Sequence, residues 1–331
     1  MTITNRSNIP LALAVWLLHD EYDYINRPNY FSLTTLLKPL RQIILPRRIE
    51  PGLADPPDLE DFIARALGHS LHDSIEKAWK VGYARSLKLL GHPQHVIDRV
   101  IINPTDEYRQ THPECIPVFL EQRAYRKVMV NGVEYEIGGK FDMVAEGILT
   151  DNKSTSVYAQ IFGGRDEDYK LQMSGYDWLD KAQPMPKITA DYGVIHFIFT
   201  DWQKSQVLAG NNYPPSRLGK KSIALYSEPE MDRWVKNKLT LIQKYMNVSE
   251  TQLPECSPEE LWMSAPKFKY YADPAKTGGK STRNFDTKQD ASKHLAASGK
   301  GVVIEVRGEP KRCGYCPAFP VCTQREKYFP S

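Results

Sequence analysis

The chain has 331 residues, of which 41% are hydrophobic and 25% charged, and its net charge is +3. That length supports one large core or two modest ones, and the balance is that of an ordinary folded chain rather than a disordered or membrane-embedded one. A charge so close to neutral excludes nucleic-acid binding by bulk charge alone, so any such surface has to be local.

Taken from the N-terminus, the apolar run Ile9 to Leu18 has about half the ~20 residues that span a bilayer. Arg6 precedes it in the manner of a signal peptide, but a polar stretch begins at His19 with no small-residue cleavage site. A buried helix is expected, with no membrane or export segment and a cytoplasmic location. Ser32 is placed to cap a helix over Leu33 to Ile44, with Pro46 and Pro51 punctuating its exit. Lys38, Arg41, Arg47 and Arg48 cluster there, as either a solvated helix face or a phosphate-binding one.

A second helix is expected from Leu59 to Ala84, with Leu67, Leu71, Ile75 and Ala78 as its apolar positions. From Val118 to Ser156 the texture changes to strands. Asn131-Gly132 marks one hairpin turn, and a second falls near Glu146-Gly147. A helix over Asp168 to Lys181, a strand over Tyr192 to Phe199 and a helix over Pro229 to Met246 follow. Residues 264–301, rich in Lys, Gly, Ser and Tyr, read as a mobile basic segment or a small subdomain. The order is α/β, with a catalytic core at 61–205, an N-terminal helical region at 1–60 and a helical and basic C-terminal region at 206–331.

The chemistry concentrates in the second hairpin. Side chains alternate along a strand, so Asp151 and Lys153 project to one side, with the backbone carbonyl of Asn152 in the same locality. Asp142, on the neighbouring strand, brings a second carboxylate. Hard oxygen ligands of this kind suit magnesium or manganese, and a neutral His72 imidazole would complete a manganese site. Lys153 would orient or deprotonate a water and offset charge on a phosphate. Gln172 and Tyr176 share a helix face and are placed to position substrate or the Lys153 strand. Glu121 lies upstream on a strand, as a structural ion pair or an auxiliary to the site. Gly138-Gly139 permits close approach of a backbone or a substrate.

There are five cysteines, too few for a secreted disulfide scaffold. Cys313, Cys316 and Cys322 crowd the C-terminus and point to a metal or cluster, with three reduced buried thiols as the plain alternative.

Gly68-x-x-x-His72, Gly139-Lys140-Phe141-Asp142, Asp151-Asn152-Lys153 and Gln172-x-x-x-Tyr176 occur in the order seen in RecB-type nucleases of the PD-(D/E)XK superfamily. Cys313-x2-Cys316-x5-Cys322 resembles the cluster motif of their iron–sulfur branch, which includes the CRISPR-associated RecB-like nucleases. Tyr169 to Tyr176 and the Cys256 to Trp262 segment are similar to phage-encoded exonucleases of this group.

The resemblance implies a restriction-endonuclease-like core, a central mixed sheet flanked by helices, with a helical N-terminal region and a cysteine-stapled C-terminal one. It implies a metal-dependent DNA exonuclease with Asp142, Asp151 and Lys153 catalytic. Magnesium or manganese would be held by His72, Asp142, Asp151 and Asn152, and substrate positioned by Gln172 and Tyr176. The location would be a bacterial host's cytoplasm if the chain is phage-encoded. The partner would be DNA, at linear ends, with a recombination or single-strand-binding partner and oligomerisation left open. In the iron–sulfur branch the first cysteine precedes the histidine motif, and here that region has none. Cys256 is then the first candidate for a fourth ligand and Cys115 the second, for a four-iron cluster or a zinc ion.

Three basic groups are candidates for phosphate contact: Arg41, Arg47 and Arg48; Arg217, Lys220 and Lys221; and Lys267, Lys269, Lys276, Lys280 and Arg283. Phe268, Tyr270 and Tyr271 interleave with the last as stacking residues or as part of a solvated loop. The rival readings are a non-catalytic DNA- or partner-binding module, a structure-selective endonuclease and a small-molecule metallohydrolase.

Overall fold

Two asparagine- and glycine-type turns organise the centre of the molecule. In the computed structural model, which describes residues 3–21, 23–50, 56–162, 164–208 and 212–329, both expected hairpins form. Asn131 and Gly132 both have positive φ (48° and 79°), as do Glu146 and Gly147 (51° and 77°). Such turns carry the right-handed twist of the strands they join. At Gly147 a Cβ would lie 1.9 Å from Thr189 Oγ1, so the turn needs glycine for space as well as for φ.

The strands form a mixed α/β architecture. Strand β1 is Tyr30–Ser32, β2 Val100–Ile102, β3 Ile116–Val130, β4 Val133–Ala145, β5 Ile148–Thr155, β6 Tyr192–Phe199 and β7 Leu218–Ala224. They make a seven-stranded sheet in the order β2-β3-β4-β5-β6-β7, with β1 pairing β4. The pairs β2–β3, β5–β6 and β1–β4 are parallel, and the remainder antiparallel. Helices flank the sheet. The Asp166–Asp180 helix is buried almost all round from Met173 onward. Its Gly175 leaves room for Leu33, whose side chain would stand 2.5 Å from an added Cβ.

The Ile63–Leu89 helix follows a capping box at Asp58. Trp79, Tyr83 and Leu87 pack on a cluster formed by Val100, Val118 and Leu120. Those positions recur at helical spacing from His72, which puts His72 on the sheet-facing side. The apolar face expected at Leu67 and Ala78 is displaced, since both are exposed.

The chain forms two compact units, Met1–Leu37 with Asp55–Thr240 and Lys38–Ala54 with Leu241–Ser331. The second unit holds a three-stranded sheet of β8 (Lys267–Tyr271), β9 (Arg283–Phe285) and β10 (Val302–Val306), in the order β10-β8-β9. The Lys288–Ser298 helix accompanies it, so residues 264–301 are an ordered subdomain.

Two further expectations change. The helix over Leu33 to Ile44 is two, Leu33–Leu36 and Leu40–Ile44, because Pro39 lacks an N–H and disfavours helical backbone at Lys38. Ser32 does cap the first, accepting from the Thr35 N–H at 3.1 Å. Pro51 lies outside the described residues. The Leu11–Leu18 helix buries only Ala14 and Leu17, while Leu11, Leu13, Val15 and Leu18 are exposed. Packing along one side of a short helix leaves its other side in solvent whatever the composition. No helix among the described residues is long and apolar enough to cross a membrane.

Close packing dictates the glycine pair before Asp142. A Cβ on Gly139 would stand 2.8 Å from Leu179 and 2.9 Å from Tyr176, and one on Gly138 2.5 Å from the Tyr30 hydroxyl. The close approach is therefore by the protein's own side chains. Gly139→Val is expected to destabilise the fold by about 1–3 kcal/mol, read as a lower midpoint in thermal unfolding. An unchanged midpoint would show that helix and strand can separate there at no cost.

Candidate metal centre

Strand β4 is long and shares one edge between two partners. Residues 143–145 pair with β5, and residues 136–138 pair with β1. On its other edge, β3 pairs with it at Leu120–Met143 and at Gln122–Phe141, with no pairing between them. Asp142 therefore sits where pairing lapses on both sides. Opposite it lie Glu121, whose φ is 52°, and Asp151, the residue after the last β4–β5 pair. A non-glycine residue at positive φ is strained, by about 1–3 kcal/mol where the backbone is sparsely populated.

Into this gap the elements deliver their side chains. His72 Nδ1 is 3.2 Å from Asp142 Oδ2. The Asn152 N–H donates to the same oxygen at 3.2 Å. Potential ligand atoms of His72, Glu121 and Asp142 all lie within 4.8 Å of one another. Glu121 is also ion-paired with Lys140 at 2.6 Å, so both roles considered for it meet at one carboxylate.

Asp151 and Lys153 share a face of β5, as strand alternation requires, and Lys153 Nζ is 2.7 Å from Asp151 Oδ2. That contact leaves Asp151 Oδ2 buried, with the Lys153 ammonium as its partner. Lys153 Nζ donates to Gln172 Oε1 at 3.4 Å, and Gln172 Nε2 donates to the Tyr176 hydroxyl at 3.4 Å. A chain of contacts thus runs from Asp151 to the buried helix. The Asn152 side chain points to the opposite face, its Oδ1 3.3 Å from His196 Nδ1.

The charges are coupled. Burial pushes the Asp151 carboxyl up to about 6, reinforced by Asp142 and opposed by Lys153. Burial works the same way on Asp142, yet His72, Lys153 and the Asn152 N–H together hold it below the ordinary carboxylate range. His72 is raised by its hydrogen bond to Asp142, against burial. Glu121 is raised by burial, against Lys140. On Lys153 burial is outweighed by Asp151 and Asp142, and its value rises. Three carboxylates gathered with one imidazole are a donor set that fits a hard divalent cation.

The other expected residues divide between the two units. Cys256, Cys313, Cys316 and Cys322 belong to the second, Cys115 to the first. Burial pushes the Cys256 thiol up to about 12, with Cys322 and Cys316 close enough to add to it. Cys313 and Cys316 are likewise raised by burial, then by neighbouring thiols. Three of these thiols, Cys256, Cys313 and Cys316, are raised by burial, and a bound metal's charge would offset the cost of ionising them. No three of the four sulfurs, all among the described residues, lie within 4.8 Å of one another.

Two basic groups are not as expected. Arg41 is 4% exposed and held by internal acceptors, and Arg48 donates to the carbonyls of Tyr245, Met246 and Val248. Neither guanidinium is available to phosphate. Phe268, Tyr270 and Tyr271 are buried and so cannot stack on bases. In the middle group Lys221 is paired with Asp166, while Arg217 and Lys220 are exposed.

No family model matches the chain, and no curated protein does. Among solved structures, it is similar to SSO0001, with 18% identity over 70% of this chain and 84% of that one and a TM-score of 0.42. It is also similar to a phage-related exonuclease from Haemophilus somnus 129PT, with 15% identity over 54% of this chain and 79% of that one and a TM-score of 0.24. At these scores the case for function rests on the side chains themselves.

Asp151 yields a pH prediction. Its value rises from 3.8 to about 6 in the folded chain. The folded state therefore binds that proton more tightly, and the resulting stability is complete below about pH 4 and lost as pH rises through about 6. In chelator-treated protein, Asp151→Asn should raise the unfolding midpoint above pH 7, with the gain fading toward pH 4. A gain independent of pH, or a loss above pH 7, would contradict this.

Proposed function

We propose that the chain is a divalent-metal-dependent DNA nuclease of the RecB-type PD-(D/E)XK kind, acting as an exonuclease on linear ends. The observation that carries the reading is the meeting of His72, Glu121 and Asp142 beside the buried Asp151–Lys153 pair. A binding module has no use for so much desolvated charge in one gap of a sheet. The order of motifs along the chain agrees with it.

In this reading His72, Glu121, Asp142 and Asp151 hold magnesium or manganese, and Asn152 contributes its backbone. The ion supplies Lewis-acid charge against a phosphate oxygen and an attacking water. The remaining work falls to the chain. Asp151, ionised above about pH 6, would offer its carboxylate to the cation. His72 is oriented by Asp142, and Asn152 steadies Asp142 through its N–H. Lys153 places a positive charge toward the scissile phosphate and orients the water, with Gln172 fixing the ammonium and Tyr176 fixing Gln172. A positioned general acid–base group of this kind contributes about 10²–10⁴-fold.

The cysteines form a second, structural centre in the same reading, with Cys256 completing the set of Cys313, Cys316 and Cys322 around an iron–sulfur cluster or a zinc ion. Its service is to staple the C-terminal unit.

The test is cleavage of end-labelled linear and closed circular DNA with magnesium or manganese. Wild type is expected to shorten linear DNA and spare circles, with activity abolished by chelator. Lys153→Ala should lower cleavage by about 10²–10⁴-fold while leaving DNA binding nearly unchanged. Cut circles would move the assignment to an endonuclease. Equal cutting by wild type and Lys153→Ala would remove Lys153 from the chemistry, and binding without any cleavage would leave a non-catalytic module.

A further inference from the structure

Arg41 is buried in the second unit and bonded along its whole guanidinium. Its Nε donates to the Pro254 carbonyl at 2.9 Å and its Nη2 to the Leu253 carbonyl at 3.0 Å. Its Nη1 pairs with the Glu250 carboxylate and lies 3.4 Å from Cys322 Sγ. Glu250 in turn accepts from the Thr323 N–H at 3.1 Å and from its hydroxyl at 2.7 Å. Thr323 directly follows Cys322, so the same carboxylate that aims Arg41 also fixes the backbone beside that sulfur.

Cys256 is held as deliberately. The buried Gln324 side chain accepts from the Cys256 N–H at 2.8 Å and donates to its carbonyl at 2.9 Å. The two cysteines that come from distant parts of the chain are therefore locked by one polar frame, in which the Arg41 guanidinium touches the Cys322 sulfur. A buried guanidinium has a large desolvation cost, and backbone carbonyls alone do not offset its charge. Glu250 offsets part of it, and a sulfur carrying negative charge would offset more. Hydrogen bonds to a ligating sulfur are an established means of tuning a thiolate-bound metal.

We propose that Arg41 is a positioning residue of the four-cysteine centre, whose N–H on Cys322 offsets ligand charge and governs how firmly the metal is held. This rests on the reading of Cys256, Cys313, Cys316 and Cys322 as ligands. It gives the Lys38–Ala54 segment a role in the C-terminal unit, away from phosphate.

The experiment uses full-length protein purified anaerobically, with iron and zinc measured, sulfur-to-metal charge-transfer absorbance recorded (after cobalt substitution if the metal is zinc), and metal release to excess EDTA timed. Wild type, Arg41→Met and Arg48→Met are compared. Arg48 is the control because it also anchors backbone carbonyls in this unit, those of Tyr245, Met246 and Val248. Arg41→Met is expected to release metal at least about tenfold faster than the other two and to shift the charge-transfer band. Arg41→Lys, which keeps a charge but not the fork, should shift the same band and serves if the methionine variant fails to fold. Release and absorbance equal to wild type, or equal losses in both arginine variants, would overturn the role of Arg41 while leaving the cysteine centre standing. A wild type that takes up neither iron nor zinc would overturn both.

Discussion

The site depends on a failure of strand pairing. Strand β4 is bonded along most of its length, yet at Asp142 it is paired on neither edge. A carboxylate in a fully paired sheet would be packed against its neighbours. Here the lapse opens space for His72 from a helix, Glu121 from β3 and the Asn152 N–H from β5 to converge on it. The strained φ of Glu121 is the local cost, and it re-aims a side chain that regular alternation would place elsewhere.

The surrounding packing makes that arrangement hold its shape. Trp79, Tyr83 and Leu87 fix the rotation of the long helix, and with it the direction of His72. On the other side, Gly139 lets the Asp166–Asp180 helix come close, so that Gln172, which donates to the Tyr176 hydroxyl, reaches the Lys153 ammonium. The electrostatics follow from burial. Asp151 and Lys153 are paired with one another, and the Lys153 ammonium also reaches Gln172. Preorganised charge of both signs is what a cation and a phosphodiester monoanion require.

Much of this was legible in the sequence, for local reasons. Asn131-Gly132 and Gly147 specify tight turns, and a two-residue turn sets the register of everything beyond it. Counting outward from Asn131-Gly132 places Glu121 opposite Asp142, a signal that was present and could have promoted Glu121 from ion pair to site member. Alternation along β5 sufficed for Asp151 and Lys153, and helical spacing for Gln172 and Tyr176. What was not legible depended on tertiary burial. Nothing local distinguishes an arginine that meets phosphate from Arg41, which is enclosed by Leu253, Pro254 and Glu250. The same holds for Tyr270, which looks available for stacking beside lysines and instead packs edge-on against His294. The N-terminal apolar helix shows the converse, since hydrophobic composition does not by itself secure a partner for every face.

The central claim is that Asp142 anchors a divalent-cation site in the gap of the sheet. Manganese binding to the full-length protein, followed through the EPR signal of the free ion, tests it without reference to any reaction. The account predicts saturable binding by wild type and at least about tenfold weaker binding by Asp142→Asn, with near-ultraviolet circular dichroism unchanged. Equal manganese affinity in the two folded proteins would contradict it.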